Sequence, residues 1–219
     1  MGRAERLGVL CSGRGTDLQS IIDAVRVGQL HAEIAVVLSD KPGAMALERA
    51  EWAGIPSACV NWKEFDGDRG AFEDALLEKL RAAHVTLVIL AGFMRILTPH
   101  FVQAYPGRIM NIHPALLPSF PGAHAHRDVL AYGVKVSGCT VHFVDEGMDS
   151  GPIILQAAVP VLDDDTEETL SARVLEQEHI LYPKAIQLFV EGRLKVEGRR
   201  VRILEPEPSA GDGKPAAAI

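Results

Sequence analysis

The chain has 219 residues, of which 47% are hydrophobic and 23% are charged, and it carries a formal net charge of −7. This length and apolar content fit one large α/β domain, and an acidic balance with scattered basic residues argues against a nucleic-acid surface. Its 3 cysteines lack C-x-x-C spacing, so neither a disulfide framework nor a thiolate metal site is indicated. Because no segment resembles a signal peptide or a membrane span, we expect a cytoplasmic protein that binds small molecules and has no membrane partner.

The N-terminal half alternates short β-branched runs with amphipathic stretches, which is typical of βαβ units around a parallel sheet. The uniformly apolar run 85–93 predicts a strand that is buried on both faces. Strands are predicted at 6–13, 32–40, 56–60, 85–93 and 108–113, and helices at 17–28, 44–54 and 69–83.

The pattern changes after residue 130. Alternating apolar residues at 134–144 and 151–161 predict an antiparallel pair at the edge of the sheet. Residues 166–192 predict a long helix, for which Thr166 and Thr169 offer alternative N-terminal signals, Pro183 predicts a kink or break, and Gly192 predicts the end. We therefore expect a single domain over 1–204 and a disordered tail at 205–219.

A glycine loop, "CSGRGTDLQ" at 11–19, lies between the first predicted strand and helix. Small residues there allow an anion to approach free backbone N–H groups at the positive end of the helix dipole, so a phosphate could bind. The alternative is a tight turn with a T-x-x-Q capping box from Thr16 to Gln19, which needs no ligand. Asp17 adds an unfavourable charge beside a phosphate, which Arg14 partly offsets.

Polar residues follow the strands at the carboxyl edge of the predicted sheet, where ligands of open α/β sheets bind. One crevice at this edge is predicted to collect Gly15, Gly92, Arg95, Asn111 and His113. In an extended segment Asn111 and His113 project to the same side. Prolines close behind His113 stiffen the chain after it.

A second loop, "DEGMDSGPIILQ" at 145–156, offers carboxylates from Asp145, Glu146 and Asp149. A carboxylate beside His113 favours the protonated imidazole, and this ring with the Asn111 amide supplies two donors for the oxyanion of an acyl transfer. The alternative interpretation makes Asn111 and His113 structural and Asp149 a turn residue.

The remaining histidines allow a zinc hypothesis. It rests on His124, His126 and His142, although H-x-H alone is unspecific and H-E-x-x-H is absent from the sequence.

Four motifs together are similar to one enzyme family. "AGFMRIL", "NIHPALLPSFPGAHAH", "VHFVDEGMDSGPIILQ" and "QEHILYP" resemble the phosphoribosylglycinamide formyltransferases in order and spacing, from about Leu7 to about Lys195. The resemblance implies a Rossmann-like, mostly parallel sheet with helices on both faces and an antiparallel edge pair. It also implies transfer of the formyl group of 10-formyltetrahydrofolate to the amine of 5-phosphoribosylglycinamide in purine synthesis, without a metal.

The resemblance further assigns site residues. Asn111 and protonated His113 stabilise the oxyanion, and Asp149 keeps His113 charged and helps relay the proton. The residues assigned to the ribonucleotide are Gly15, Thr16, Asp17, Arg69, Gly92 and Glu178, and those assigned to the folate are Arg95, Ile96, Leu97, Asn111, Asp145, Glu146 and Asp149. Asp17 and Arg14 stand where asparagines are expected, which puts a side-chain phosphate contact of Asp17 in doubt.

Three other functions are compatible with parts of this pattern. Methionyl-tRNA formyltransferases share the core, as do formyltetrahydrofolate deformylases, and the deformylases are hydrolases. Both families carry an additional domain, so the length of this chain disfavours them. A non-catalytic nucleotide-binding module remains the alternative from another class. Either a monomer or a homodimer is expected.

Overall fold

The computed structural model describes residues 4–206, which form one nine-stranded sheet of order β3-β2-β1-β4-β5-β6-β7-β9-β8. The first five strands are mutually parallel, and β6 is antiparallel to both β5 and β7. The strands are β1 Glu5–Cys11, β2 Ala32–Ser39, β3 Ser57–Cys59, β4 Leu87–Leu90, β5 Ile109–His113, β6 Val136–Phe143, β7 Ile153–Pro160, β8 Leu194–Glu197 and β9 Arg200–Ile203.

Helices cover both faces of the sheet. Residues of α1, α2, α5 and α6 pack into one core, and residues of α3 and α4 pack into the other. Neighbouring β2 residues illustrate the division, since Val37 contributes to the first core while Val36 and Leu38 contribute to the second. The helices are α1 Thr16–Arg26, α2 Met45–Trp52, α3 Arg69–Ala82, α4 Pro99–Ala104, α5 Ala125–Tyr132 and α6 Glu167–Val190.

The sheet agrees with the predicted α/β class, mostly parallel with an antiparallel β6–β7 pair. A hairpin of β8 and β9, which we did not predict, extends the sheet beyond β7, with β9 parallel to β7 at Ile153 and Arg200. Its strands are short and largely exposed, so the apolar signal is weak. The alternation around Gly198 in "LKVEGRRVRI" is the signal that could have found it.

The long C-terminal helix begins and ends close to where the sequence predicts. Thr166 is the N-cap, and it forms a capping box with Thr169, so the two candidate signals act together. The helix continues through Pro183, and the predicted break is therefore wrong. Packing explains this, because Tyr182 and Ile186 on either side of the proline are fully buried against the sheet.

The other differences concern short elements and the chain end. We did not predict α4, α5 or a 3-10 turn at Trp62–Phe65. Most of the predicted tail at 205–219 lies outside the described residues, which end at 206. Across residues 4–206, no helix combines the length and hydropathy that a bilayer span requires.

Candidate active site

The carboxyl ends of β1, β4 and β5 are adjacent and lie at the same edge of the sheet. Gly15 follows β1, Gly92 follows β4, and Asn111 and His113 lie at the end of β5. The structure thus brings these predicted residues to one edge. Ile112 between the two polar residues packs into the core on the opposite side of the strand.

His113 is held between two acceptors. Its Nε2 donates to the Phe120 carbonyl at 2.7 Å, and its Nδ1 lies 3.4 Å from Asp149 Oδ2. A carbonyl can only accept, so Nε2 carries a proton, and a neutral ring would then turn a lone pair toward the carboxylate. Each ring nitrogen of His113 thus faces an oxygen atom, that of the Phe120 carbonyl or that of the Asp149 carboxylate. Only 3% of His113 is exposed, which strengthens the pairing.

Asp149 lies in the loop between β6 and β7, in the left-handed region with φ of 49°. A non-glycine residue there costs about 1 kcal/mol. The contacts around it hold the loop in place: Gly122 N donates to Asp149 Oδ2 at 2.8 Å, and Asp145 Oδ1 accepts from Gly147 N and Ser150 Oγ.

Glu146, on the same loop, forms a hydrogen bond with a residue outside the loop. Its carboxylate accepts from Gln103 Nε2 of α4 at 2.9 Å. Asp145 and Glu146 thus use their carboxylates to fix the loop in this structure.

Asn111 has a partner that sequence reasoning did not assign to it. His142 lies directly opposite Asn111 on β6, and its Nε2 accepts from Asn111 Nδ2 at 3.2 Å. His142 Nδ1 donates to the Phe143 carbonyl, and burial lowers the pKa of His142, so the ring is neutral and accepts at Nε2. Within residues 4–206, the second Nδ2 hydrogen of Asn111 has no acceptor, so a substrate can use it. The register of β5 against β6, which sets Asn111 opposite His142, is the information that the sequence alone did not provide.

The proline-rich segment after β5 is pinned to the sheet by one hydroxyl. Thr140 Oγ1 donates to the Ala115 carbonyl and accepts from Leu117 N and Gln156 Nε2. The segment then delivers the Phe120 carbonyl to His113 and the Gly122 N–H to Asp149.

The glycine loop opens onto the N-terminus of α1. Gly15 is the N-cap, with φ of 68°, and a Cβ there would lie 2.8 Å from Ala46 Cα, so only glycine fits. The alternative capping box is not formed, because Thr16 is already helical and the Gln19 side chain contacts Asp23 and Arg49 instead. No side chain in the described part of the chain, residues 4–206, therefore caps the first N–H groups of α1.

Gly92 lies beside the glycine loop. Its carbonyl accepts from Ser12 N at 3.1 Å, which ties the end of β4 to the start of the loop.

Two buried carboxyl groups, those of Asp17 and Glu178, lie close to each other at the start of α1. Burial, together with their mutual repulsion, raises the pKa of Glu178 well above its ordinary value, and burial raises that of Asp17. Asp17 Oδ1 lies 3.8 Å from His179 Nε2 without a hydrogen bond. The pair therefore retains protons at pH values where ordinary carboxyl groups are ionised.

Three of the residues assigned to the folate, Arg95, Ile96 and Leu97, form a separate group. Arg95 Nε pairs with the buried Asp40 at 2.7 Å, and the guanidinium lies 4.3 Å above the Trp62 ring. A cavity of about 320 Å³ is lined here by Arg95, Ile96, Leu97 and also Arg69. Arg69 donates to the Ile96 carbonyl. The structure thus places Arg69 beside Arg95, Ile96 and Leu97.

The histidines of the zinc hypothesis do not form a ligand set in the described part of the chain. Within residues 4–206, no group of three or more His, Cys, Asp or Glu side chains is arranged to hold a metal ion.

Comparison with known proteins identifies the family of the chain. The formyl transferase family model matches residues 5–186. The chain belongs to the formyl transferase family. This membership confirms the resemblance, and with it the predicted fold class.

Individual formyl transferases match most of the chain. Phosphoribosylglycinamide formyltransferase of Escherichia coli is 46% identical over 188 residues, which cover 86% of this chain and 88% of that protein. The crystal structure of glycinamide ribonucleotide transformylase 1 from Symbiobacterium toebii superposes with a TM-score of 0.91 at 54% identity, covering 94% of this chain and 96% of that one.

Other relatives are much longer. The trifunctional purine biosynthetic protein adenosine-3 of Drosophila melanogaster is 48% identical over 192 residues, which are 87% of this chain but 14% of that protein.

Proposed function

We propose that this formyl transferase moves the formyl group of 10-formyltetrahydrofolate to the amine of 5-phosphoribosylglycinamide. One observation carries the proposal: His113, paired with Asp149, lies on the same strand face as an Asn111 amide that has a free hydrogen. This is the donor set that acyl transfer to an amine requires. The similarity to the Escherichia coli relative supports the choice of substrates.

The reaction follows from these groups. The amine attacks the formyl carbon and forms a C–N bond, while the carbonyl electron pair moves to oxygen. Asn111 Nδ2 and the His113 imidazolium donate to that oxyanion. The Nδ1–Oδ2 contact of 3.4 Å is longer than a strong charge-assisted hydrogen bond, so an oxyanion can share the Nδ1 proton with Asp149.

Collapse of the tetrahedral intermediate breaks the bond to the folate nitrogen. The proton lost by the amine passes by way of Asp149 and His113 to the departing nitrogen, so atoms and charge balance without a metal. Asn111 and His113 thus act on the oxygen, and Asp149 acts on the proton.

The ribonucleotide is assigned to the N-terminal end of α1. Backbone N–H groups at Gly15, Thr16 and Asp17 bind the phosphate, with Gly92 beside them and Glu178 behind. Because the contact is through the backbone, an aspartate at position 17 is compatible with it.

The folate is assigned to the cavity beside Arg95. Two guanidinium groups, those of Arg69 and Arg95, border it and suit the carboxylates of the folate glutamate, while Ile96 and Leu97 offer apolar contacts. The loop that carries Asp145, Glu146 and Asp149 borders the end of the folate that carries the formyl group.

The deciding experiment is an absorbance assay with 10-formyltetrahydrofolate, run with and without 5-phosphoribosylglycinamide. Product that depends on the amine supports transfer. Release of formate without the amine would identify a hydrolase instead, and no turnover in either reaction would identify a non-catalytic binding module.

The setting of the reaction is also proposed. We assign the protein to the cytoplasm, with the two small molecules as its partners and with neither nucleic acid nor membrane among them. Either a monomer or a homodimer is expected, and gel filtration of the purified chain distinguishes the two.

A further inference from the structure

The C-terminal hairpin touches the loop that carries Asp149. Arg199 Nη2 donates to the Ser150 carbonyl at 2.8 Å, and Ser150 directly follows Asp149 in the chain. The hairpin also joins the sheet at this point, because Arg200 of β9 pairs with Ile153 at the start of β7. The tip of the hairpin therefore lies beside the end of the loop.

The position of Arg199 is itself well defined. Gly198 and Arg199 form the two-residue connection of the hairpin, closed by the pairing of Glu197 with Arg200. Gly198 has φ of 62°, which suits the first position of such a turn. Arg202 pairs with Glu197 at 2.7 Å and stiffens the two strands. The Arg199 side chain thus extends from a backbone position that the turn of the hairpin fixes.

The loop needs support at this point. Asp149 has a strained backbone, and Gly151 is pressed against β6 so closely that a Cβ would lie 1.8 Å from the Phe143 carbonyl oxygen. Ser150, between them, is held on both sides: its Oγ donates to Asp145 and its carbonyl accepts from Arg199. A residue in the left-handed region persists only when such surrounding contacts fix it.

We propose that Arg199 is a positioning residue, which keeps the Asp149 carboxylate aligned with His113 by holding the Ser150 carbonyl. This inference rests on the proposed function, in which Asp149 relays the proton. The hairpin lies beyond residues 5–186, the part matched by the family model, so this support is supplied from outside the matched core.

Kinetics of variants test the catalytic half of the proposal. Arg199→Ala should lower kcat by about 3- to 10-fold, the loss that one hydrogen bond of this kind produces, and leave both KM values within about twofold. Arg199→Lys should recover part of the loss. Arg202→Ala is the matched control, since Arg202 contacts Glu197 and not the loop, and its kcat should equal that of the wild type.

A double variant tests whether Arg199 acts through Asp149. In an Asp149→Asn background, Arg199→Ala should cost nothing further, because the aligned carboxylate is already gone. A second, additive loss would overturn the proposal.

Hydrogen exchange tests the loop without reference to activity. Backbone amides of residues 145–151 should exchange faster in Arg199→Ala than in the wild type or Arg202→Ala, with Tm unchanged within about 2 °C. Equal exchange in all three proteins would overturn the positional role, and faster exchange with wild-type kcat would overturn its catalytic half. If the wild type transfers no formyl group, the proposed function fails, and exchange alone then decides whether Arg199 holds the loop.

Discussion

His113 lies between two oxygen atoms, since its Nε2 donates to the Phe120 carbonyl and its Nδ1 lies 3.4 Å from the Asp149 carboxylate. Removing the ring or the carboxylate should therefore lower kcat by about 10² to 10⁴ with little change in KM. His113→Ala and Asp149→Asn test this by steady-state kinetics, with circular dichroism as the control for folding. Asparagine tolerates the left-handed backbone of position 149, so the loop itself is preserved. Wild-type turnover in both variants would remove these residues from the mechanism.

Asp17 should make stability depend on pH. Its raised pKa, and that of Glu178, means that the folded protein holds protons which the unfolded chain has already released. The free energy of unfolding therefore falls as pH rises from the ordinary carboxyl pKa through the raised values. Asp17→Asn should flatten this fall by about 1 to 2 kcal/mol between acidic and mildly alkaline pH. Urea unfolding of both proteins across this range measures it, and parallel curves would show that Asp17 does not retain a proton.

At the scale of elements, the connection from β1 to α1 has no room for a side chain at Gly15. A Gly15→Val substitution strains the turn and pushes against Ala46 of α2, so KM for the ribonucleotide should rise by about tenfold or more while KM for the folate changes little. Gly13→Ala is the control, because a Cβ at Gly13 meets open space. If both KM values rise together, the substitution damages the fold in general and does not report on a phosphate site.

The cap of α6 should matter for stability alone. Thr166→Ala removes a reciprocal pair of hydrogen bonds with Thr169 and should lower the free energy of unfolding by about 1 kcal/mol. Thr166→Ser keeps the hydroxyl and should stay close to the wild type. Thermal unfolding compares the three proteins. A changed kcat would contradict the assignment of this end of α6 to structure only.

At the scale of the whole molecule, the parallel sheet was predictable because its strands are buried on both faces and read as continuous apolar runs. The shared strand face of Asn111 and His113 was predictable because side chains alternate along a strand, and the nearby position of Asp149 was predictable because its loop carries a recognisable motif. The pairing of Asn111 with His142 was not, since cross-strand register depends on tertiary structure and 31 positions separate the two residues. The neighbours of Arg69 were not predictable for a similar reason, because the direction of α3 decides which strand end it reaches.

The bonds of Thr140 connect this architecture to the chemistry. Its buried hydroxyl has one hydrogen and two lone pairs. The bonds to the Ala115 carbonyl and from Leu117 N fasten the chain between His113 and Phe120 to β6, and the bond from Gln156 Nε2 joins β6 to β7. The position of the Phe120 carbonyl beside the His113 ring consequently depends on a side chain for which no direct bond to that ring is seen within residues 4–206. Loss of a single oxygen atom at this position would remove two of the bonds that hold the segment carrying both the Phe120 carbonyl and the Gly122 N–H, and would leave the bond from Gln156 Nε2 to the Leu117 carbonyl.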